Sequence, residues 1–506
     1  MKHLLVSLLT ILMISCAGTD SKEGIKYQYM EDLTSARLGA LMGSAEESFF
    51  EKRFPNQPVD RFETLTDLVQ ALKQNKVDAI GMDGYCTPYL NFILGGGLVA
   101  LDDSMGTMGL CAAFPKGEQT DLREQFNQFL MELKQSGEHA KLVDKWINHS
   151  ETAKMPALTL PKKGKIIKVA TCPTLPPTSF QQDNLPAGLD MELLQLFACY
   201  VNRPIKLENL NFSSLVTSLC TQKVDMVMSS LIKTEERAKM VDFSDSYMDF
   251  NLEVLVRAQD KIGYQADGSQ SAPAVKRGFL ASIKHWAYGL KESFENNLIK
   301  EKRYEMVLKG LKITLIISFF SAFFGTLLGA FVCFLRMRKS TFLRSIATVY
   351  INVMRGMPVL VLLLIMFYVV FNKSDIDPVT VSVITFSMNF GAYTSEMFRT
   401  SIEGIDRGQT EAGIALGFSK FRTFTLIVLP QAFKQVLPVY KGEMISMVKM
   451  TSIVGYIAVE DLTKVSDIIR SRTFDALFPL IMVAILYFIL AWLFAVVLDF
   501  IGRKYN

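Results

Sequence analysis

The stretch RTSIEGIDRGQTEAGIALGFSKFRTFTLIVLP, Arg399 to Pro430, is a polar, basic island between apolar segments of membrane-spanning length. Working outward from it, apolar runs lie at about 312–335, 347–371 and 378–398 on one side and 437–458 and 476–499 on the other. Each is near the roughly 20 residues needed to cross a bilayer, so the spacing predicts five spans. Lys441, Glu443 and Lys449 interrupt the fourth, and groups so costly in lipid are expected to face the bundle interior or a cavity. The loop after the first run holds Arg336, Arg338, Lys339 and Arg344 with no acid, whereas the next, NKSDIDP, has no basic excess. Extended to residue 436, the island carries Arg399, Arg407, Lys420, Arg422 and Lys434, and the chain ends in GRKYN. Basic loops stay inside, so the island and the C-terminus are expected in the cytoplasm.

The N-terminus agrees with that orientation. MKHLLVSLLTILMISC has a basic start, an apolar core from Leu4 to Met13 and a small residue, Ser15, before Cys16. It reads as a secretory signal, too short to span. Met13 to Cys16 resembles a loose lipobox, which implies cleavage and lipidation at Cys16. Residues 17–305 are then expected outside the inner membrane. The whole chain has 506 residues, 50% of them hydrophobic, and a net charge of +4. That length suits more than one domain, and the charge says nothing of nucleic acid. Seven cysteines form no CxxC pair and four histidines no HExxH cluster, so no metal site is expected. No GxxxxGK[ST] appears, so nucleotide hydrolysis is expected of another subunit, and neither a cofactor nor catalytic residues of its own.

Between the signal and the spans the pattern alternates. Leu38–Met42 reads as a strand ending at Gly43-Ser44, then a helix follows from Ala45 to Phe54. A second helix includes Leu68–Leu72, and Val77–Met82 is a strand ending at Asp83. Leu122, Phe126, Phe129, Leu130 and Leu133 share one helical face, and a further helix ends near Trp146-Ile147. After a linker at 151–164, strands at Ile166–Ala170 and Val224–Met228 alternate with helices at Asp190–Val201 and Leu215–Thr221. Alternation of this kind argues an α/β domain with a largely parallel sheet. The boundaries expected are 1–16 for the signal, 25–150 and 163–257 for two α/β segments, 258–305 for a linker and interfacial helix, and 306–506 for the membrane part.

The α/β segments carry more specific signals. G-x-D, K-V-D-x-x-x-S, then T-E-E-R and V-D-F-S within 188–244 resemble the first lobe of amino-acid-type periplasmic binding proteins. G-S after a strand, V-D-A-I-x-x-D and A-F-P-K-G within 34–147 resemble the rest of that fold. The lobe that comes first in the family comes second here. Circular permutation of one domain and two tandem copies that each lost a half both fit. Either way the segments are expected to form one two-lobed domain, because each is too short to make both walls of a cleft. A zwitterion buried there needs a cation and an anion, since an unpaired buried charge costs several kcal/mol. Arg suits the carboxylate because its planar fork bonds both oxygens. The resemblance puts that role on Arg237 in the motif opened by Thr234, and the ammonium partner on Asp83. It implies backbone N–H and hydroxyl groups of Gly43 and Ser44 beside them. The family's aromatic clamp is missing, since Leu175 and Thr178 stand where aromatics are expected, and Ile232 replaces a hydroxyl residue.

In the island, Glu411-Ala412-Gly413, then Gly417, then Leu429-Pro430 resemble the E-A-A…G…I-x-L-P loop of ABC importer membrane subunits. Arg355-Gly356-Met357-Pro358, the run Asn389 to Glu396 and Lys449-Met450-Thr451-Ser452 resemble motifs of polar-amino-acid permeases, over roughly 300–500. The resemblance implies a permease subunit with a fused binding domain, docked through its loop on a separate ATPase that uses the ATP, and a homodimeric pore. The alternative is an amino-acid-responsive sensor or ligand-gated channel with a degenerate binding domain. Ser321, Gly325 and Gly329, four apart in the first span, allow close helix packing.

Overall fold

The computed structural model describes residues 26–263, 291–372, 374, 376–475 and 477–503. The signal sequence with Cys16 and most of the expected interfacial segment at 258–305 lie outside the described residues. The first α/β segment begins with strands β1 (Leu38–Leu41), β2 (Val59–Phe62) and β3 (Ala79–Asp83) and helices α1 (Ala45–Arg53), α2 (Leu65–Lys73) and α3 (Cys86–Leu94). Ser44 and Thr64 start α1 and α2 by accepting the backbone N–H of Glu47 and Asp67, which satisfies one orphan donor in each first turn. A long strand β4 (Leu98–Pro115) and helix α4 (Thr120–Gln135) follow. The second segment contributes β5 (Ile167–Thr171), the hairpin β6 (Phe180–Gln182) and β7 (Leu185–Ala187), helix α5 (Leu189–Tyr200), β8 (Ile205–Asn209) and β9 (Met226–Val227). It closes with helix α6 (Glu235–Met240) and a second long strand, β10 (Val241–Arg257).

One sheet of eight strands joins the two segments in the order β2-β1-β3-β10-β4-β9-β5-β8. Its two wings are parallel, β1 with β2 and β3, and β5 with β8 and β9. The antiparallel pair β4 and β10 runs between them, from Val241 opposite Pro115 to Arg257 opposite Leu98. At ~3.3 Å per residue a strand of this length reaches from one lobe to the other. The register of this pair shifts four times between Phe243 and Leu255, and shifts of that kind bend and twist a ribbon. Burial ties the segments as firmly as the hydrogen bonds do. Phe126 on α4 meets Phe197 on α5 edge to face at 5.1 Å, and fully buried Trp146 donates its Nε1–H to Glu192 on α5 at 2.7 Å. Each such side chain buried contributes about 2–3 kcal/mol. One apolar core runs from Tyr27 to Val256 and takes in Phe474 from the C-terminal part. Asp190, fully buried, fastens the bent ribbon by accepting from the Tyr247 hydroxyl (2.7 Å) and the Ser230 N–H (2.8 Å), and burial pushes its carboxyl up to about 6. The chain enters and leaves this domain at one place: Tyr27 N–H donates to Asp260 O (2.8 Å), and Ile262 N–H to Tyr27 O (3.0 Å).

The C-terminal part is helical: α7 (Tyr304–Arg336), α8 (Thr341–Gly356), α9 (Val359–Ile365), α10 (Pro378–Glu403), α11 (Arg407–Ala415), α12 (Leu429–Met450), α13 (Leu462–Thr473) and α14 (Leu477–Arg503). Among the described residues α7 and α14 are long and apolar enough to cross a membrane, and two bent pairs pass the same test together. The second expected span is one of these pairs, turning by 108° between Gly356 and Val359. Pro358 explains the turn, because it has no N–H to give the carbonyl of Met354, one turn earlier. The Asn389 side-chain amide donates to that carbonyl at 3.0 Å, so two separate motifs meet at one break. The fourth expected span, 437–458, is α12 followed by a 3₁₀ turn, Thr451–Ile457. Lys441 there does not turn to the interior, as expected, but pairs with Asp499 on α14 at 2.6 Å. Ser321, Gly325 and Gly329 are buried against α10, and a side chain at Gly325 or Gly329 would collide with Phe390 or Thr394.

Candidate functional site

The two lobes close on a cavity of about 40 Å³, room for little more than a water or two, lined by Glu46, Asp83, Tyr85, Leu175, Phe212 and Arg237 among others. Arg237, 8% exposed, sits in the short helix α6. Its Nη1 donates to Ile232 O at 2.7 Å and its Nη2 to Gly43 O at 2.6 Å, and the second bond crosses from one lobe to the other. The Phe212 ring lies 5.7 Å from the guanidinium, a cation–π arrangement. Opposite stands Asp83 at the end of β3. Its Oδ2 accepts from the Tyr85 hydroxyl at 2.8 Å, while its Oδ1 is buried without a hydrogen-bond partner. Burial first, then the negative charge of Glu46, hold the Asp83 carboxyl well above the usual carboxylate range, with the Tyr85 hydrogen bond and Arg237 opposing.

The residues expected from the sequence meet here, with changed roles for three of them. Arg237 and Asp83 both line the cavity. Gly43 presents its carbonyl, because its N–H donates to Glu47 Oε2 at 2.6 Å. Ser44 lines the cavity, but its N–H is taken by Leu41 O and its oxygen caps Glu47, leaving one hydroxyl proton to offer. Thr234 caps α6 by accepting from Arg237 N–H at 3.2 Å and is not among the lining residues. A common cause lies behind these departures: helices begin at Ser44 and Thr234, and their first turns claim the nearest polar groups. Of the two residues standing in for the aromatic clamp, Leu175 lines the cavity and Thr178 is bonded away to Ser230. Tyr85 and Phe212 supply aromatic walls from other elements. Glu46, 6% exposed in the first turn of α1, is the largest omission from the sequence reading.

A second set of contacts joins the α/β domain to the helical part, and α13 makes most of them. Arg470 pairs with Asp67 on α2, Gln70 donates to Phe474 O at 2.7 Å, and Arg472 donates to the Tyr89 hydroxyl at 3.0 Å. Those partners belong to the wing of β1 to β3. At its other end Lys464 donates to Asn211, and Glu460 accepts from Asn209 at 2.6 Å, on the wing of β5, β8 and β9. One helix of the C-terminal part therefore holds both lobes of the closed domain.

The loop at 404–430 is built differently. Asp406 caps α11 by accepting from Gly408 N–H at 2.7 Å. Gly413 is buried against Thr423 and Ile427, where a side chain would collide, and Gly417 turns the chain with φ +84°. Leu429 and Pro430 follow a π turn, Phe424–Val428, in a helix that runs on from Lys420, and the wider turn accommodates the N–H that proline lacks. Glu411 and Ala412 are exposed, and so are Leu416 (76%) and Phe421 (75%).

The profile of the bacterial extracellular solute-binding proteins, family 3, matches residues 167–426, which covers the second α/β segment and runs on into the helices. The "Probable amino-acid ABC transporter permease protein YckA" of Bacillus subtilis is 35% identical over 211 residues, 42% of this chain and 93% of that protein. The L-cystine transport system permease protein TcyB of the same organism is 34% identical, over 41% of this chain and 90% of that one. The glutamine transport system permease protein GlnP of Escherichia coli is also 34% identical, over 39% and 90%. Among solved structures, one of an amino acid ABC transporter with histidines aligns with a TM-score of 0.37 and 30% identity, over 45% of this chain and 99% of that one.

Proposed function

The chain belongs to the bacterial extracellular solute-binding proteins, family 3, and through its C-terminal part to the amino-acid ABC transporter permeases, and from this we infer a permease subunit of an importer for polar amino acids that carries its own receptor domain. The observation that carries the reading is the cross-lobe cleft, with Arg237 on one side and Asp83 on the other, in a domain that α13 holds by both lobes. Arg237 takes the ligand's carboxylate and Asp83 its ammonium, while Tyr85 and Phe212 wall the site. Opening flexes the paired strands β4 and β10 as a hinge, and closure hands the ligand to the helices beneath. A receptor joined to its permease is present at an effective concentration of order mM when the linker spans the distance. No bond in the solute is made or broken.

The lobe order is read as a circular permutation. Support comes from Tyr27 lying hydrogen-bonded beside Asp260 and Ile262, so that the ends of the domain meet in the β1 to β3 wing, and from the linker at 151–164 joining what would be the ends of the unpermuted fold. The helical part forms five spans, α7, α8 with α9, α10, α12 and α14, paired with a second copy around the pore. The N-terminal domain faces outward and the C-terminus faces the cytoplasm. A separate ABC ATPase binds the loop at Glu411, Ala412 and Gly413, where exposed Leu416 and Phe421 offer it an apolar surface. Glu411→Lys is expected to remove the ATPase from the purified complex while amino-acid binding to the receptor domain is unchanged. An ATPase that stays bound to that variant would overturn the coupling role of the loop.

A further inference from the structure

Resting on the reading of the cleft as an amino-acid site, its charge count says more about the ligand. The charged side chains lining it are Glu46, Asp83 and Arg237, two acids against one base. An amino acid without a charged side chain pairs its carboxylate with Arg237 and its ammonium with Asp83, which leaves Glu46 over. Glu46 is 6% exposed, with Asp83 of the same sign beside it, and Arg237, the base that faces both acids, is the one a bound carboxylate claims. Gly81 enforces that closeness, because a side chain there would lie 2.5 Å from Glu46 Cβ. Arg61, on the neighbouring strand β2, is engaged by Glu47 and Glu51. A buried charge left without a counterion costs several kcal/mol, more than solvent at so small a cavity returns. Asp83 Oδ1 is buried with no N–H donor, and the proton that Asp83 and Glu46 share in the cleft is what a ligand cation displaces. We propose that Glu46 contacts the ligand and that the cleft takes an amino acid bearing one net positive charge, its second cation set against Glu46. The cavity of about 40 Å³ holds only the head of such a molecule, so the lobes close less far around the whole.

Calorimetry on the full chain in nanodiscs tests this with L-ornithine, L-lysine, L-arginine, L-glutamine and L-glutamate. At least one of the three cationic amino acids is expected to bind about tenfold or more tighter than glutamine or glutamate. In Glu46→Gln that ligand should weaken by about a hundredfold, the order expected for breaking a buried charge pair. An unfolding midpoint close to the parent's shows that the variant is folded. Glutamine or glutamate as the tightest ligand, or an unchanged cationic preference in Glu46→Gln, overturns the charge assignment and leaves the receptor reading standing. Binding of none of the five to the folded chain overturns both.

Discussion

The cleft and the loop at 404–430 are both polar insertions among apolar elements, and they leave opposite things unfinished. In the cleft the charged groups are buried and face one another, with Asp83 Oδ1 unpaired and Arg237 lent to a carbonyl of the other lobe. In the loop the charges of Glu411 and its neighbours are in solvent, and the large apolar side chains Leu416, Phe421 and Leu426 stand out with them. A small polar molecule completes the first, since it supplies donors and charge in a space that holds nothing larger. On the function proposed above, a protein surface completes the second, because exposed apolar area of that kind gains by being covered. On that reading the same chain carries a ligand site and a partner site, told apart by where the charge is buried.

Arg237→Ala should break the first without touching the second. Two carboxylates would be left facing each other and the Gly43 carbonyl would lose its cross-lobe donor. Removing one partner from a buried ionic set costs about 3–5 kcal/mol. Denaturant unfolding of the α/β domain in the full chain is expected to show a loss of that order, together with loss of amino-acid binding and unchanged association with the ATPase. A variant as stable as the parent would mean that the cleft is not organised by charge.

Arg470→Ala addresses the contact between the two regions. Its side chain is buried between Asp67 on the receptor wing and Asp467 on its own helix. A hydrogen bond to a charged group contributes about 1.5–3 kcal/mol, so the loss should reach about 3 kcal/mol with two partners affected. Hydrogen exchange of α2 and α13 is expected to quicken by about a hundredfold while β5 and β8 are unaffected. Equal quickening in both lobes would show that Lys464 and Arg470 act as one unit, and no change that α13 is not what holds the wing of β1 to β3.

How far these features were legible in the sequence differs between the regions for a physical reason. In the helical part the motifs are local, and the first turn, glycine and proline of the loop at 404–430 fall where the spacing put them. In the α/β domain short buried strands and helices such as β1, β3, α1 and α5 were readable to within a few residues. The long strands β4 and β10 were not. Their apolar pattern is broken by Asp102, Gly106 and Asp249, and their partner lies more than a hundred residues away, so neither periodicity nor a turn marks them. Glu46 was hidden by its own place. An acid in the first turn of a helix is favoured by the helix dipole, and nothing in AEESFFEKR tells that Glu46 turns inward while Glu47 turns to Arg61. The link between Pro358 and Asn389 was missed although both motifs were seen, because sequence gives the missing donor but not which side chain replaces it.

That link yields the smallest effect and the cleanest cycle. Asn389→Ala removes the donor that Pro358 cannot supply, leaving the Met354 carbonyl unpaired inside the bundle, at a cost of about 1–2 kcal/mol. Thermal inactivation of the detergent-solubilised chain should register it as a modest fall in midpoint. Pro358→Ala restores a backbone N–H at the break, so the same Asn389→Ala change made on that background should cost less, and the difference between the two is the energy of the replacement bond. If Asn389→Ala costs the same with and without Pro358, the amide is held for some purpose other than the break. If the cost vanishes in Pro358→Ala, the two motifs, 31 residues apart in the chain, act as one hydrogen-bonding unit.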